Sequence, residues 1–186
     1  PANTLTEAVD LIGRSPGKYS FGSPGVGSVH ALAMEQFAKK LGLNITHVAY
    51  KGAGPAMTDI IGGQIDMYLS SVPTLIGHVR NGKMRALAIA SDKRTEAFAD
   101  VPTFRELGYA FDVPSPLGIA GPKALPAEIT QKLEAAIQSA MQEPAFKQVA
   151  ANYGIRLEYR NAQEYSAFAK KALAEEKDIV KAIGLD

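Results

Sequence analysis

The chain has 186 residues, of which 46% are hydrophobic and 21% charged, with 20 Lys and Arg against 19 Asp and Glu for a formal net charge of +1. That balance is globular rather than disordered and gives no basic field for nucleic acid or for a membrane surface. The chain has no cysteine, which excludes disulfides, thiolate metal sites and a cysteine nucleophile.

A length of 186 residues suits one ordinary domain or two small lobes, and it can bury a core without staples. No apolar run approaches the ~20 residues of a membrane span. No secretory leader is visible, and the first residue is Pro1. The expectation is a processed chain or a piece that starts inside a longer protein.

In chain order, residues 4–14 read as a helix with Leu5, Ala8, Val9 and Ile12 on one face, ended by Ser15-Pro16-Gly17. A short strand at 19–22 runs into the glycine-rich turn Gly22-Ser23-Pro24-Gly25-Val26-Gly27-Ser28. A helix over 28–40 follows, with Val29, Leu32, Ala33, Phe37 and Leu41 as its buried stripe and Gly42 at a left-handed C-cap. Residues 45–50 are a strand, Lys51-Gly52-Ala53-Gly54 a second glycine turn, and Pro55 the start of a short helix stopped by Gly62-Gly63. A third strand at 65–69 leads through Ser70 and Ser71 into a helix that ends at Asn81-Gly82. Residues 84–90 read as a strand buried on both faces, and 101–108 as a short helix.

Residues 111–120 are extended and broken by Pro114 and Pro116, so the stretch from Phe111 to Pro126 is the expected lobe boundary. Pro126 opens a helix with Ile129, Leu133, Ala136, Ile137, Ala140 and Met141 on one face, and Pro144 opens another that Gly154 stops. A strand at 155–159 precedes a last helix with an Asn161/Glu164 capping box. That helix turns Tyr165, Phe168, Ala172, Ile179, Val180 and Ile183 inward and ends at Gly184. Strands alternating with helices predict an α/β fold with a mainly parallel sheet flanked by helices.

Ligands collect beyond the carboxyl ends of parallel strands. Three such ends carry small polar groups: Ser23 with Ser28, Tyr50 with Lys51, and Ser70 with Ser71. A glycine turn between a strand and a helix exposes successive backbone N–H groups, which with the helix dipole suit a carboxylate or phosphate. The same pattern equally serves a tight connection that needs glycine, with serines as helix caps and Lys51 as a solvated loop lysine. A P-loop is excluded because no Gly-Lys-Ser/Thr follows the glycines, and the dinucleotide fingerprint fails at His30.

His30 sits in a first helical turn where it could line the cleft, while His47 and His78 read as structural. No histidines or acids have metal-site spacing, Asp59 and Asp66 stand alone, and no cofactor is implied. A hydrolase would need a base within hydrogen-bond reach of Ser23 or Ser28, and the Gly-x-Ser-x-Gly elbow is absent. A sensory or regulatory effector-binding module remains the other alternative.

The run Tyr19-Ser20-Phe21-Gly22-Ser23-Pro24-Gly25-Val26-Gly27-Ser28-Val29-His30 resembles the second-lobe loop of the substrate-binding receptors of tripartite tricarboxylate transporters, the Bug/TctC family. So do residues 47–59 (His47-Val48-Ala49-Tyr50-Lys51-Gly52-Ala53-Gly54-Pro55 onward), Gly62-Gly63-Gln64-Ile65-Asp66, Gly82-Lys83-Met84-Arg85-Ala86-Leu87-Ala88, Asp100-Val101-Pro102-Thr103 and Gly118-Ile119-Ala120-Gly121-Pro122. The resemblance covers nearly the whole chain.

It implies a periplasmic-binding-protein-like fold of type II. Residues 1–112 would form the second, ligand-facing lobe, and 113–186 the crossover and helical segment that belong to the first. It also implies that the front of the first lobe lies outside this chain, so that binding by the chain alone is weak or absent and uncovered apolar surface drives self-association. It further implies a periplasmic, non-enzymatic receptor that closes on a small organic carboxylate and passes it to membrane permease subunits. The positions matching the family's ligand-facing loops are Ser23, Gly25, Gly27, Ser28, His30, Tyr50 and Lys51. Ser70 and Ser71 stand where many relatives carry Asp and Asn, and Pro116-Leu117 where they often carry an aromatic residue.

Overall fold

The computed structural model describes residues 1–113 and 117–184. Pro114 and Pro116 in the expected crossover, and the side chain of Ile183, lie outside the described residues.

Helix α1 (Leu5–Arg14) is capped by the Thr4 hydroxyl accepting from Glu7 N, and it buries Leu5, Ala8 and Ile12, the face its spacing predicts. Strand β1 (Ser20–Ser23), helix α2 (Val29–Leu41), strand β2 (Thr46–Ala49), helix α3 (Ala53–Ile61), strand β3 (Met67–Tyr68) and helix α4 (Val72–Arg80) follow in strict alternation. The described strands form one three-stranded sheet in the order β2-β1-β3, and both pairings are parallel. Strand β1 is therefore central. Phe21 lies opposite His47 on one side and Met67 on the other.

Because all three strands run the same way, their carboxyl ends share one sheet edge. The three polar junctions therefore leave from that edge.

The core lies where α1, α2 and the segment 104–113 meet. Phe37 of α2 makes an edge contact with Phe104 (5.2 Å between centroids, 82°), another with Tyr109, and a tilted one with Phe111. Leu5 and Ala33 close this cluster. Such aromatic pairs contribute ~0.5–1.5 kcal/mol each beyond the area they bury. The inward face of α2 is wider than the predicted stripe: Ala31, Met34 and Ala38 are buried too, while Val29 and Leu41 stay partly exposed.

Three elements differ from expectation. Residues 84–90 form no ladder. Their one strand-like contact is a parallel bridge between Ile89 and Thr103, and most of them are half-buried rather than enclosed. The apolar run fits a strand, but Ile89 and Ala90 spend their backbone groups on Pro102, Phe104 and Val113 one residue at a time. Residues 101–108 make consecutive turns instead of a helix. Thr103 and Glu106 hold them reciprocally, Thr103 N donating to the Glu106 carboxylate (2.7 Å) and Glu106 N to Thr103 Oγ1 (3.1 Å). Residues 155–159 are extended but lie in no sheet among the described residues.

Helices α5 (Ala127–Gln142), α6 (Pro144–Asn152) and α7 (Ala162–Ile183) complete the chain. Helix α7 begins at the predicted Asn161/Glu164 capping box and ends at Gly184. Helix α5 buries none of its residues: Ile129 and Leu133 on its apolar face are 45% and 47% exposed. Leu117 and Ile119, at 84% and 77%, are still more open. Apolar stripes of this extent drive association when nothing covers them. The 186-residue chain is accordingly expected to self-associate as concentration rises in light scattering. A strict monomer at high concentration would contradict that.

Candidate functional site

Two hydrogen bonds set the geometry. Tyr50 N donates to Ser23 O (2.9 Å) and Gly52 N donates to Pro24 O (3.0 Å). The register of β1 with β2 thus continues past the strand ends and lays the turn 22–28 beside the turn 50–55. The third junction, Ser70-Ser71, leaves β3 on the other side of β1.

Within the first turn, Ser28 is fully engaged. Its hydroxyl donates to Gly25 O (2.8 Å) and accepts from Ala31 N (3.2 Å), capping α2. Ser28 N also donates to Gly25 O, at 3.1 Å. Ser23, read from sequence as a ligand donor, has no exposed surface (0%). Its Oγ lies 2.7 Å from His47 Nε2 and 3.0 Å from Gly25 O, and accepts from Gly25 N at 3.3 Å. These two serines shape the loop, so the groups it has left to offer a ligand are main-chain ones.

The second turn is built differently. Its residue before α3, Gly52, adopts φ 103° and ψ 176°, a region nearly closed to other residues. No side chain caps α3. The Tyr50 hydroxyl turns away to donate to Asp59 Oδ2 (2.7 Å), and that bond, more than its partial burial, pushes its pKa above the ordinary value. Lys51 is exposed. Helix α4 likewise starts without a side-chain cap to its backbone, since the Ser71 hydroxyl pairs with Thr74 Oγ1 (3.0 Å). Helix starts with uncapped N–H groups attract anions.

Gly22, at the heart of the sheet, has no room for a side chain. A Cβ there would come within 2.4 Å of Ile65 Cδ1 and 3.3 Å of the Tyr50 ring, with Tyr68 at 3.5 Å. Both tyrosines therefore pack over β1. The Tyr68 hydroxyl is buried and finds no hydrogen-bond partner among the described residues. Sequence reading passed over Tyr68, whose place beside Gly22 follows only from the register.

Open space of about 2220 Å³ spreads over much of the molecule, from α1 and the end of β3 past residues 83–96 to the C-terminal segments. Enclosed small-molecule pockets hold roughly 300–1,000 Å³, so this is an open trough. His30, Tyr68, Ser70 and Ser71 line it, but Ser23, Gly25, Gly27, Ser28, Tyr50 and Lys51 do not. The site residues thus cluster at one edge yet divide into groove-lining side chains and loop-shaping ones. Half-buried, His30 has its pKa lowered by desolvation.

Sequence reading also missed the Glu35–His47–Ser23 series. His47 Nδ1 stands 3.3 Å from Glu35 Oε1, and the ring stacks on Phe21 (4.5 Å, 2°). The reading of His47 as structural agrees with this, but its partners were not legible, because the three residues come from two strands and a helix. The order serine–histidine–carboxylate is that of a hydrolase. The base that the hydrolase alternative needs is therefore present, but Ser23 is sealed from any substrate carbonyl. Among the described residues no group of three acids or histidines could hold a metal, and no helix is long and apolar enough to cross a membrane.

Residues 1–185 match the family described as "Tripartite tricarboxylate transporter family receptor". The chain belongs to this family. The family is one of non-catalytic solute-binding receptors. The "UPF0065 protein in gbd 5'region" of Cupriavidus necator is 35% identical over 185 residues, covering 100% of this chain and 56% of that protein. A solved structure described as a periplasmic transporter aligns with a TM-score of 0.89 at 34% identity, over 97% of this chain and 61% of that one. MatC from Rhodopseudomonas palustris, solved with bound malate, aligns with a TM-score of 0.84 at 26% identity, over 97% of this chain and 63% of that one. The chain thus spans little more than half the length of these relatives.

Two outcomes follow for this receptor chain. Replacing Gly52 by Ala should cost about 1–3 kcal/mol in denaturant unfolding through backbone strain alone, because a Cβ there meets nothing within 4 Å; an unchanged midpoint would mean the turn relaxes freely. The depressed pKa of His30 makes the unfolded state the tighter proton binder. Its contribution is complete above the ordinary value of 6.5 and is lost as pH falls through the lower folded value. His30→Gln should flatten that part of the stability curve, and parallel curves for the two proteins would contradict the assignment.

Proposed function

We propose that the protein is part of an extracytoplasmic solute-binding receptor that captures a small carboxylate, a di- or tricarboxylate or an acidic amino acid. In this reading the receptor works in the periplasm and hands its ligand to the membrane permease subunits of a tripartite transporter. Residues 1–112 act as the ligand-facing lobe and 113–186 as the crossover and the segment of the other lobe. Closure is a hinge motion about the crossover.

The observation that carries the reading is the junction of the two glycine turns. Tyr50 N to Ser23 O and Gly52 N to Pro24 O hold them side by side, next to the uncapped start of α3 and on the edge where α4 also begins. A carboxylate held there meets the main chain around Gly27 and the uncapped first turn of α3, the N–H groups of Gly25, Ser28 and Gly52 being spent on the turns themselves. The groove-lining His30, Ser70 and Ser71 complete its surroundings. Neutral donors suit an anion that must be released again, since they avoid a fully buried ion pair. The description of MatC with malate, and the family description itself, support a carboxylate as cargo.

Ser70 and Ser71 give the trough hydroxyl donors without charge. A ligand with a second carboxylate near that end can accept from them.

Isothermal calorimetry of the full-length receptor with malate, adipate, citrate and glutamate tests the reading. At least one acid should give saturable heat. Ser71→Ala should then weaken binding by about 0.5–1.5 kcal/mol, the usual worth of one neutral hydrogen bond. No heat from any of the four acids would overturn the proposal.

A further inference from the structure

We propose that Glu35 and His47, neither of which lines the groove, are positioning residues that set the shape of the ligand turn through the hydroxyl of Ser23. The placement of the groups carries the argument. Glu35 Oε1 is 3.3 Å from His47 Nδ1, His47 Nε2 is 2.7 Å from Ser23 Oγ, and Ser23 is wholly buried at the root of the turn 22–28. The imidazole is fixed in its plane by stacking on Phe21 at 4.5 Å and 2°. It can reach both partners without turning.

Proton accounting then decides the directions. A carboxylate beside Nδ1 favours the hydrogen on that nitrogen, so the neutral ring presents a lone pair at Nε2. The one group in line with Nε2 is Ser23 Oγ. Ser23 has a single hydrogen and two claimants for it, Nε2 at 2.7 Å and Gly25 O at 3.0 Å. Giving it to Nε2 leaves no group wanting: Gly25 O keeps the Ser28 hydroxyl and the Ser28 N–H, and Ser23 Oγ keeps a lone pair for Gly25 N. Giving it to Gly25 O leaves a lone pair of a largely buried imidazole unmet. Glu35 therefore selects the tautomer, the tautomer directs the Ser23 proton, and Ser23 in turn holds Gly25 N inside the turn. Because Ser23 is shielded from water, the bond is not diluted by solvent.

The positioning of Gly25 by this series stands independently of any ligand. Its consequence for affinity rests on the proposed carboxylate site, and the two can be separated in one set of measurements on the protein. The ¹⁵N shifts of His47 without ligand should report the Nδ1–H tautomer, and Glu35→Leu should move it toward Nε2–H while Glu35→Gln, which keeps an acceptor, preserves it. In His47→Phe, which retains the stack on Phe21, amide exchange at Gly25 and Ser28 should speed up roughly tenfold, while amides in the middle of α2 hold their rates. Malate binding should weaken about tenfold in the same variant, because the ligand must then order the turn itself.

An Nε2–H tautomer in the unmodified protein, or unchanged exchange at Gly25 in His47→Phe, would overturn the inference. So would malate affinity equal to that of the unmodified protein. The correct tautomer with no malate, adipate, citrate or glutamate binding would leave the positioning of the turn standing and sink the carboxylate site.

Discussion

The structure depends on the parallel pairing of β1 with both of its neighbours, carried one step beyond the strands by Tyr50 N to Ser23 O and Gly52 N to Pro24 O. Strands of four, four and two residues are too short to bury much area by themselves. What they do is impose direction. With all three pointing one way, three turns and three helix starts share an edge, where the ligands of parallel sheets collect. The glycines matter because this arrangement asks two things of the chain that other residues resist: close packing of Tyr50, Tyr68 and Ile65 over Gly22, and the φ of 103° at Gly52.

Serines at the edge divide into two kinds. Ser23 and Ser28 are saturated by the protein, one by His47 and Gly25, the other by Gly25 and Ala31. Ser70 and Ser71 face the trough. A loop that must present backbone amides in fixed directions benefits from side chains that satisfy it from behind, and Ser23 with His47 and Glu35 does this at the buried end. The chemistry that would make a hydrolase, a hydroxyl beside an imidazole beside a carboxylate, here has its hydroxyl sealed in the protein, where it can order a loop but not attack a substrate.

Much of the first 80 residues is legible in sequence because period and punctuation agree there. The α1 face, the cap at Ser28, the stop at Gly42 and the three strand–turn–helix junctions all follow from local rules. Reading failed where the deciding partner is distant. Residues 84–90 have the composition of a buried strand, but their backbone bonds go to Pro102, Phe104 and Val113. Helix α5 has a clear apolar face that the described residues cover only in part, so periodicity predicted burial that the structure lacks. His47 lies 24 residues from Ser23 in sequence, and only the register of β1 on β2 makes them neighbours. The family match runs over residues 1–185, while the chain covers 56% of the Cupriavidus necator relative and 61% of the periplasmic transporter structure.

The central claim is that the turns after β1, β2 and β3 act together on one anion. Mapping amide chemical shifts while malate is added is its most direct measure. The account predicts that the largest changes fall in three separate stretches at once, residues 25–30, 52–54 and 70–72, all saturating with a single affinity. Changes confined to one stretch, or centred on the exposed faces of α5 and α6, would contradict it.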